Sequence, residues 1–244
     1  MRWMKCIRLS LWIALTICLL NSCNNDEGYS LDDAWYSIAT IRTEGYGATS
    51  YWLTLDSGTS LWPVATNIPW YNPKDKQRAY VMYTILSDEF SGFDHAVKIL
   101  EIKSILTKPI AENLGEDNDE TYGTDPVEIS EMWIGDGFLN IVFEFNYGGE
   151  ETHFINLIEN GGANTPYFYE FRHNAYNDSE RYRKKGIVAF DLSAVDTEGR
   201  EVELTIQVNT FNGTKEYAIK YNHSVQNANG QNRNYSMENF AEIE

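Results

Sequence analysis

Along most of the chain, apolar and polar positions alternate with a period of two. Trp35, Ser37, Ala39, Ile41 and Thr43 fall on one face of the run 35–43, and β-branched and aromatic residues dominate it, as in a strand with one buried side. Runs of the same kind cover 50–56, 61–66, 79–87 and 95–106, so the first half predicts five strands. The stretch 71–78 contains Pro73 and has room for at most a turn or two of helix. A second series occupies 127–134, 138–146, 152–159, 166–172, 186–192, 201–210 and 215–222. Gly135-Asp136-Gly137, Gly148-Gly149, Gly161-Gly162 and Asn212-Gly213 separate several of these runs and favour tight turns. Seven short strands with regular turn signals predict a β-sandwich over 127–225, closed by hairpins and a Greek-key crossing. The fold class is therefore all-β. The Asn- and Gly-rich tail, 226–244, is expected to fray.

Between the two series the pattern lapses. Residues 109–126 hold six acids, Glu112, Glu116, Asp117, Asp119, Glu120 and Asp125, with no Lys or Arg, and are punctuated by Pro109, Gly115, Gly123 and Pro126. Such a stretch repels itself and offers little apolar area to bury, so it predicts an extended acidic linker between a first domain at 30–108 and the sandwich. Asp117-Asn118-Asp119-Glu120 resembles a calcium loop in charge alone, without the glycine turn or distal glutamate of an EF-hand.

The first 22 residues differ from the rest. Arg2, Lys5 and Arg8 precede a largely apolar run at 9–20, and no acid occurs before Asp26. That run is 12 residues long, against the roughly 20 that a membrane-spanning helix needs, and reads as the core of an export signal. It ends in Leu20-Asn21-Ser22-Cys23, which resembles a bacterial lipobox: a leucine, a small residue at the cut, then the cysteine whose sulfur takes the lipid. On this reading 1–22 is removed, Cys23 is the lipidation site, and 23–29 is a short acidic spacer. Acids just behind the cysteine, Asp26 and Glu27, resemble the signal that directs lipoproteins of some anaerobes to the outer face of the outer membrane, with a periplasmic location as the alternative. The remaining cysteines, Cys6 and Cys18, both lie in the signal, so the mature chain has no disulfide, thiolate metal site or cysteine nucleophile. No cofactor is called for.

Counted from Cys23, 16 Lys and Arg face 36 Asp and Glu. Affinity for nucleic acid rests on clustered cations, so this balance excludes it as a partner. Within 30–108 the count is seven to nine, which denies a nucleic-acid-binding barrel its electrostatic groove.

With these elements in place, the chain resembles the NigD-like lipoproteins. The resemblance rests on the lipobox, Tyr51-Trp52-Leu53-Thr54-Leu55-Asp56-Ser57-Gly58, Val97-Lys98-Ile99-Leu100, Asp125-Pro126-Val127, Gly137-Phe138-Leu139-Asn140-Ile141 and the closing strand near Val202 and Val208. It implies a five-stranded OB-type barrel at 30–108 followed by a β-sandwich, and suggests bacteriocin immunity by genetic association; no catalytic residues come with it.

Candidate chemistry is sparse. Leu53-Thr54-Leu55-Asp56-Ser57-Gly58-Thr59 is similar to the active-site loop of pepsin-like proteases, and Trp133-Ile134-Gly135-Asp136 has the form of their later apolar-apolar-glycine loop. Those enzymes need two carboxylates sharing one proton, and only one Asp-Ser-Gly is present; a hairpin turn selects the same residues. An envelope hydrolase using Asp56 is thus the alternative to a non-enzymatic binding protein. His95, His153, His173 and His223 show no ligand spacing, and each reads as structural. Arg181, Arg183, Lys184 and Lys185 form a basic cluster, read as a solvated hairpin before the strand at 186. Aromatic residues are abundant, and Trp62, Trp70 and Tyr71, beside Pro63, Pro69 and Pro73, are the candidates for contact with a glycan or protein ligand. Oligomeric state is not encoded in any of these patterns.

Overall fold

The computed structural model describes residues 29–44, 50–162, 164–223, 235 and 237–244; the export signal and Cys23 lie outside the described residues. Thirteen strands form a closed barrel and a two-sheet sandwich.

The barrel comprises β1 (Trp35–Thr43), β2 (Tyr51–Leu55), β3 (Ser60–Thr66), β4 (Arg78–Phe90) and β5 (Phe93–Ser104), in the order β1-β2-β3-β5-β4 with β1 and β4 closing the ring. β3 and β5 run parallel and the other pairs are antiparallel. Bulges at Leu100 of β5 and Leu86 of β4 bend the longest hairpin into the curve that closure requires. Inward positions such as Ala39, Ile41, Leu53, Leu61, Val81, Val97 and Ile99 fill the interior. The connection after β3 is a loop with no helical turn; its Ile68 and Tyr71 pack onto that core.

The sandwich has one sheet more populated than its sequence suggests. β7 (Glu128–Gly135), β8 (Phe138–Tyr147), β9 (Phe154–Glu159), β10 (Phe168–Asn174), β11 (Tyr182–Asp191), β12 (Val202–Thr210) and β13 (Gly213–Tyr221) follow the seven runs. An eighth strand, β6 (Leu106–Pro109), pairs parallel to β11, giving sheets of order β13-β12-β10-β9 and β6-β11-β8-β7. The core between the sheets is aromatic and aliphatic, with Phe143, Phe145, Phe171, Phe190, Leu204 and Ile206 among its members.

Three expectations are corrected here. The barrel ends at β5, because 106–108 belongs to the sandwich edge. The acidic stretch 109–126 is not an extended linker. It crosses from one sheet to the other, with Ala111 N–H donating to Leu157 O (2.8 Å), then forms a 3₁₀ turn (Gly115–Asp117) and the short helix α1 (Asn118–Tyr122). Tyr122 is buried beside Phe154, its hydroxyl donates to Glu112 O, and Asn118 bonds back to Leu114 and Asn113, so a few well-placed side chains outweigh the charge repulsion. The end of the tail is likewise built in. Phe240 bridges to Lys185 and Ile243 to His153, and Ala241 and Glu244 exchange backbone hydrogen bonds with Lys185, His153 and Ile155. β6 covers only the second half of β11, beside residues 188–191, and the tail occupies the open edge beside Lys185.

Candidate ligand-binding surface and domain junction

The two domains meet over a third apolar cluster. β1 and β4 bury both faces: Ile38 and Tyr80 turn outward from the barrel and meet Phe138, Val142, Ile187 and Ala189 of the sandwich, with Ile105 between. At the edge of this cluster lies a buried polar network. Arg78, fully buried, donates to Thr40 Oγ1 (2.9 Å), Asn140 Oδ1 (3.3 Å) and Asp56 Oδ1 (2.5 Å), and its guanidinium lies 5.4 Å from the centre of the Phe138 ring. The other oxygen of Asp56 accepts the indole N–H of Trp133 at 2.8 Å.

The two halves of the protease-like pattern therefore do come together, for a structural reason. Asp56 opens the β2–β3 turn, where Gly58 adopts φ +86° and donates to Leu55 O. Gly135 passes so close that a Cβ there would stand 2.2 Å from the Asp56 carboxyl carbon. Both groups bonded to that carboxylate, a guanidinium and an indole, are donors only, and neither can share a proton with it as a second carboxylate would. Asp136, the acid that follows Gly135, pairs with Arg42 at 2.6 Å. The chemistry of this site is that of an interdomain latch.

Two of the four histidines, far apart in sequence, meet inside the sandwich. His153 Nδ1 lies 2.8 Å from His173 Nε2, and His153 Nε2 lies 3.1 Å from Asp178 Oδ2. Asp178 also accepts the backbone N–H groups of Gly148, Gly149 and Glu150. Burial raises the Asp178 pKa, but the Gly148 N–H, His153 and the remaining donors outweigh it and hold the carboxyl well below the usual range. Beside an anionic Asp178, His153 donates from Nε2, which turns its Nδ1 toward His173 Nε2. Burial and, after it, the proximity of His153 push the His173 pKa down to about 4. Sequence spacing held no signal for this trio, because the three residues come from a bridge, a strand and a loop. Of the others, His95 faces Asp88 at 2.8 Å and His223 lies 3.1 Å from the Tyr221 hydroxyl.

The structure separates the three aromatic candidates. Trp70 stands 76% exposed at the turn after β3. Tyr71 is half-buried, plugs the barrel beside Tyr51 and bonds Ser104 through its hydroxyl, so it is chiefly a packing residue. Trp62 is partly exposed on β3, with its ring centre 4.8 Å from that of Phe93, which in turn lies 6.1 Å from Trp52. Beside Trp62, a shallow hollow of about 240 Å³ is lined by Tyr51, Pro63, Val64 and Thr66. Trp52 and Phe93 join the surface only through the β2–β3–β5 pairing, which sequence proximity to proline does not reveal. The basic cluster lies largely within β11, where Lys185 approaches Glu144 at 3.7 Å and Arg183 stacks 3.6 Å from the centre of the Phe211 ring, while Arg181, just before the strand, pairs with Glu150.

A closed β1-β2-β3-β5-β4 barrel with a partly exposed aromatic strand face, latched to an eight-stranded sandwich, defines a two-domain β protein of the OB-plus-sandwich class. The chain belongs to the NigD-like family: the NigD-like N-terminal OB domain matches residues 38–105 and the NigD-like C-terminal beta sandwich domain matches residues 109–221. Among solved structures it is similar to a protein of Parabacteroides distasonis ATCC 8503 named only as toxin-related. That match has 49% identity and a TM-score of 0.73, over 79% of this chain and 95% of that one. The fold is shared with a NigD-like immunity protein of Bacteroides caccae ATCC 43185 (20% identity, TM-score 0.58, 80% of this chain and 100% of that one). It is also shared with a candidate lipoprotein of Bacteroides fragilis NCTC 9343 (13% identity, TM-score 0.54, 79% and 99%). No curated protein matches the chain. Among the described residues no helix is long and apolar enough to cross a membrane.

Proposed function

We propose that this chain is a lipid-anchored binding protein of the outer membrane, facing the cell surface, which recognises its ligand through the aromatic face of the barrel and performs no catalysis. The observation that carries the ligand site is the Trp52–Phe93–Trp62 surface on β2, β5 and β3, where partly exposed rings are held by neighbouring rings and so lose little freedom on binding. Flat aromatic faces of this kind stack on sugar rings or anchor a protein partner. The lipid anchor is supported by the lipobox at Cys23. A self-protection role, in which the ligand is a secreted toxin, is supported by the family and by the name of the Bacteroides caccae protein.

The soluble 24–244 fragment tests both parts. On a glycan array, a signal abolished by Trp62→Ala favours a sugar on this face, one abolished by Trp70→Ala alone moves the sugar to the turn after β3, and silence moves the ligand to the protein class. With casein at acidic and neutral pH the fragment should release no peptides; cleavage that disappears in Asp56→Asn would overturn the non-enzymatic reading.

A further inference from the structure

Half of the exposed large apolar side chains gather at one end of the barrel. Of the ten such residues among those described, five lie in two short segments: Tyr29, Leu31 and Trp35 at the entry to β1, and Leu86 and Phe90 near the tip of the β4–β5 hairpin. The segments are neighbours. Trp35 pairs with Tyr83 in the antiparallel β1–β4 ladder, and on the far side of a turn at Ser30–Asp33 the chain meets the hairpin again at Tyr29. The Tyr29 hydroxyl donates to Asp88 at 2.6 Å and its ring meets His95 edge-on, 6.2 Å between centres. Leu31 is 75% exposed, which a core packing role does not explain.

The same end is where the chain leaves toward Cys23. Six peptide steps separate Cys23 from Tyr29, a reach of about 20 Å even when fully extended. A lipid on Cys23 therefore cannot hold the barrel at arbitrary height or orientation: Tyr29, pinned to Asp88, carries the hairpin tip to the bilayer with it. From these observations we infer that the 29–35 segment and the β4–β5 tip form a membrane-seating surface, with Leu31, Phe90, Leu86 and the rings of Tyr29 and Trp35 at the headgroup level of a phospholipid bilayer. Amphipathic rings favour that level, and a second attachment adds to the acyl anchor. Charge selects the type of lipid. The segments carry Asp32, Asp33, Asp88, Glu89 and Asp94 and neither Lys nor Arg, so they suit a zwitterionic surface and are repelled by an anionic one.

The seating rests on the lipid-anchor reading, and the experiment separates the two. Full-length protein is expressed with its signal, purified as the mature lipoprotein, and its Cys23 adduct is measured by intact mass. With the Cys23 sulfur acylated and Cys6 and Cys18 removed with the signal, an introduced cysteine is the sole free thiol. Leu31→Cys, Phe90→Cys and, as a control on the sandwich, Tyr176→Cys are each labelled with a nitrobenzoxadiazole dye and reconstituted into phosphatidylcholine–phosphatidylethanolamine vesicles. The emission at 31 and 90 should shift to the blue and become quenchable by lipids brominated near the headgroup, while the label at 176 stays wet. Phosphatidylglycerol vesicles should give a smaller shift, and a larger one would overturn the choice of a neutral surface. Acylated protein whose labels at 31 and 90 are as wet as the label at 176 would sink the seating alone. An unmodified Cys23 would sink the anchor and the seating with it.

Discussion

At the scale of single residues, the energetics concentrate in two buried polar sites. Arg78 carries a full charge out of water, and Asp56 supplies the counter-charge at 2.5 Å. Removing one partner of such a pair leaves the other uncompensated, so Asp56→Ala should cost about 3–5 kcal/mol in urea unfolding. Gly135→Ala attacks the same pair from the other side. The new methyl would collide with a carboxyl held at both oxygens, and a loss of about 1–3 kcal/mol is expected. The histidine pair governs pH dependence. His173 is faced by His153, by Asp125 on the strap before β7 and, through His153, by Asp178. Its folded-state pKa of about 4 lies below the ordinary 6.5, so between those values the unfolded chain takes up a proton that the folded chain refuses. The stability from keeping this ring neutral is present above pH 6.5 and is lost as pH falls toward 4, about 3 kcal/mol in all. His173→Gln should flatten that limb of the stability–pH curve measured by denaturant titration.

At the scale of elements, the period-two pattern was sufficient for nearly every strand, because the barrel and the sandwich bury one face of most strands and expose the other. It failed where an element is held by something other than alternation. β6 is four residues long and half-exposed, and it exists because β11 offers it an edge. Helix α1 sits in the most acidic stretch of the chain, and its position depends on Tyr122, Asn118 and the pairing of Asp119 with Arg172 at 2.6 Å. Of the aromatic candidates, proline context picked out the exposed Trp70 but did not tell it from Tyr71, whose neighbours come from β2 and β5. The C-terminal segment is the element whose removal is most informative. It joins β11 of one sheet to the start of β9 in the other through three backbone hydrogen bonds of 2.7–2.9 Å. At about 1 kcal/mol net for each bond, plus the apolar contacts of Phe240 and Ile243, deletion of 237–244 should lower stability by about 2–4 kcal/mol in thermal or urea melts, with the fold retained.

At the scale of the molecule, the barrel and the sandwich are coupled more tightly than two beads on a linker. The connection between β5 and β6 is a single residue, Ile105, itself buried in the junction. Ile38 and Tyr80 are covered only because the sandwich lies against them, and the buried Arg78–Asp56 pair of the barrel takes two further hydrogen-bond partners, Asn140 and Trp133, from the sandwich. Neither domain can unfold alone without exposing that cluster and taking the hydrogen bonds of Asn140 and Trp133 from the buried Arg78–Asp56 pair, or leaving those bonds without their partners, so a single cooperative transition is expected, with tryptophan emission and far-UV circular dichroism giving coincident curves. Ile38→Asp places a carboxylate in the apolar half of the junction while leaving the barrel interior untouched, since Ile38 points away from it. That variant should split the transition in two, the barrel melting separately from the sandwich. If Ile38→Asp merely lowered a still-single transition, the coupling would have to run through the Arg78 network, and Arg78→Met would then be the change that divides the domains.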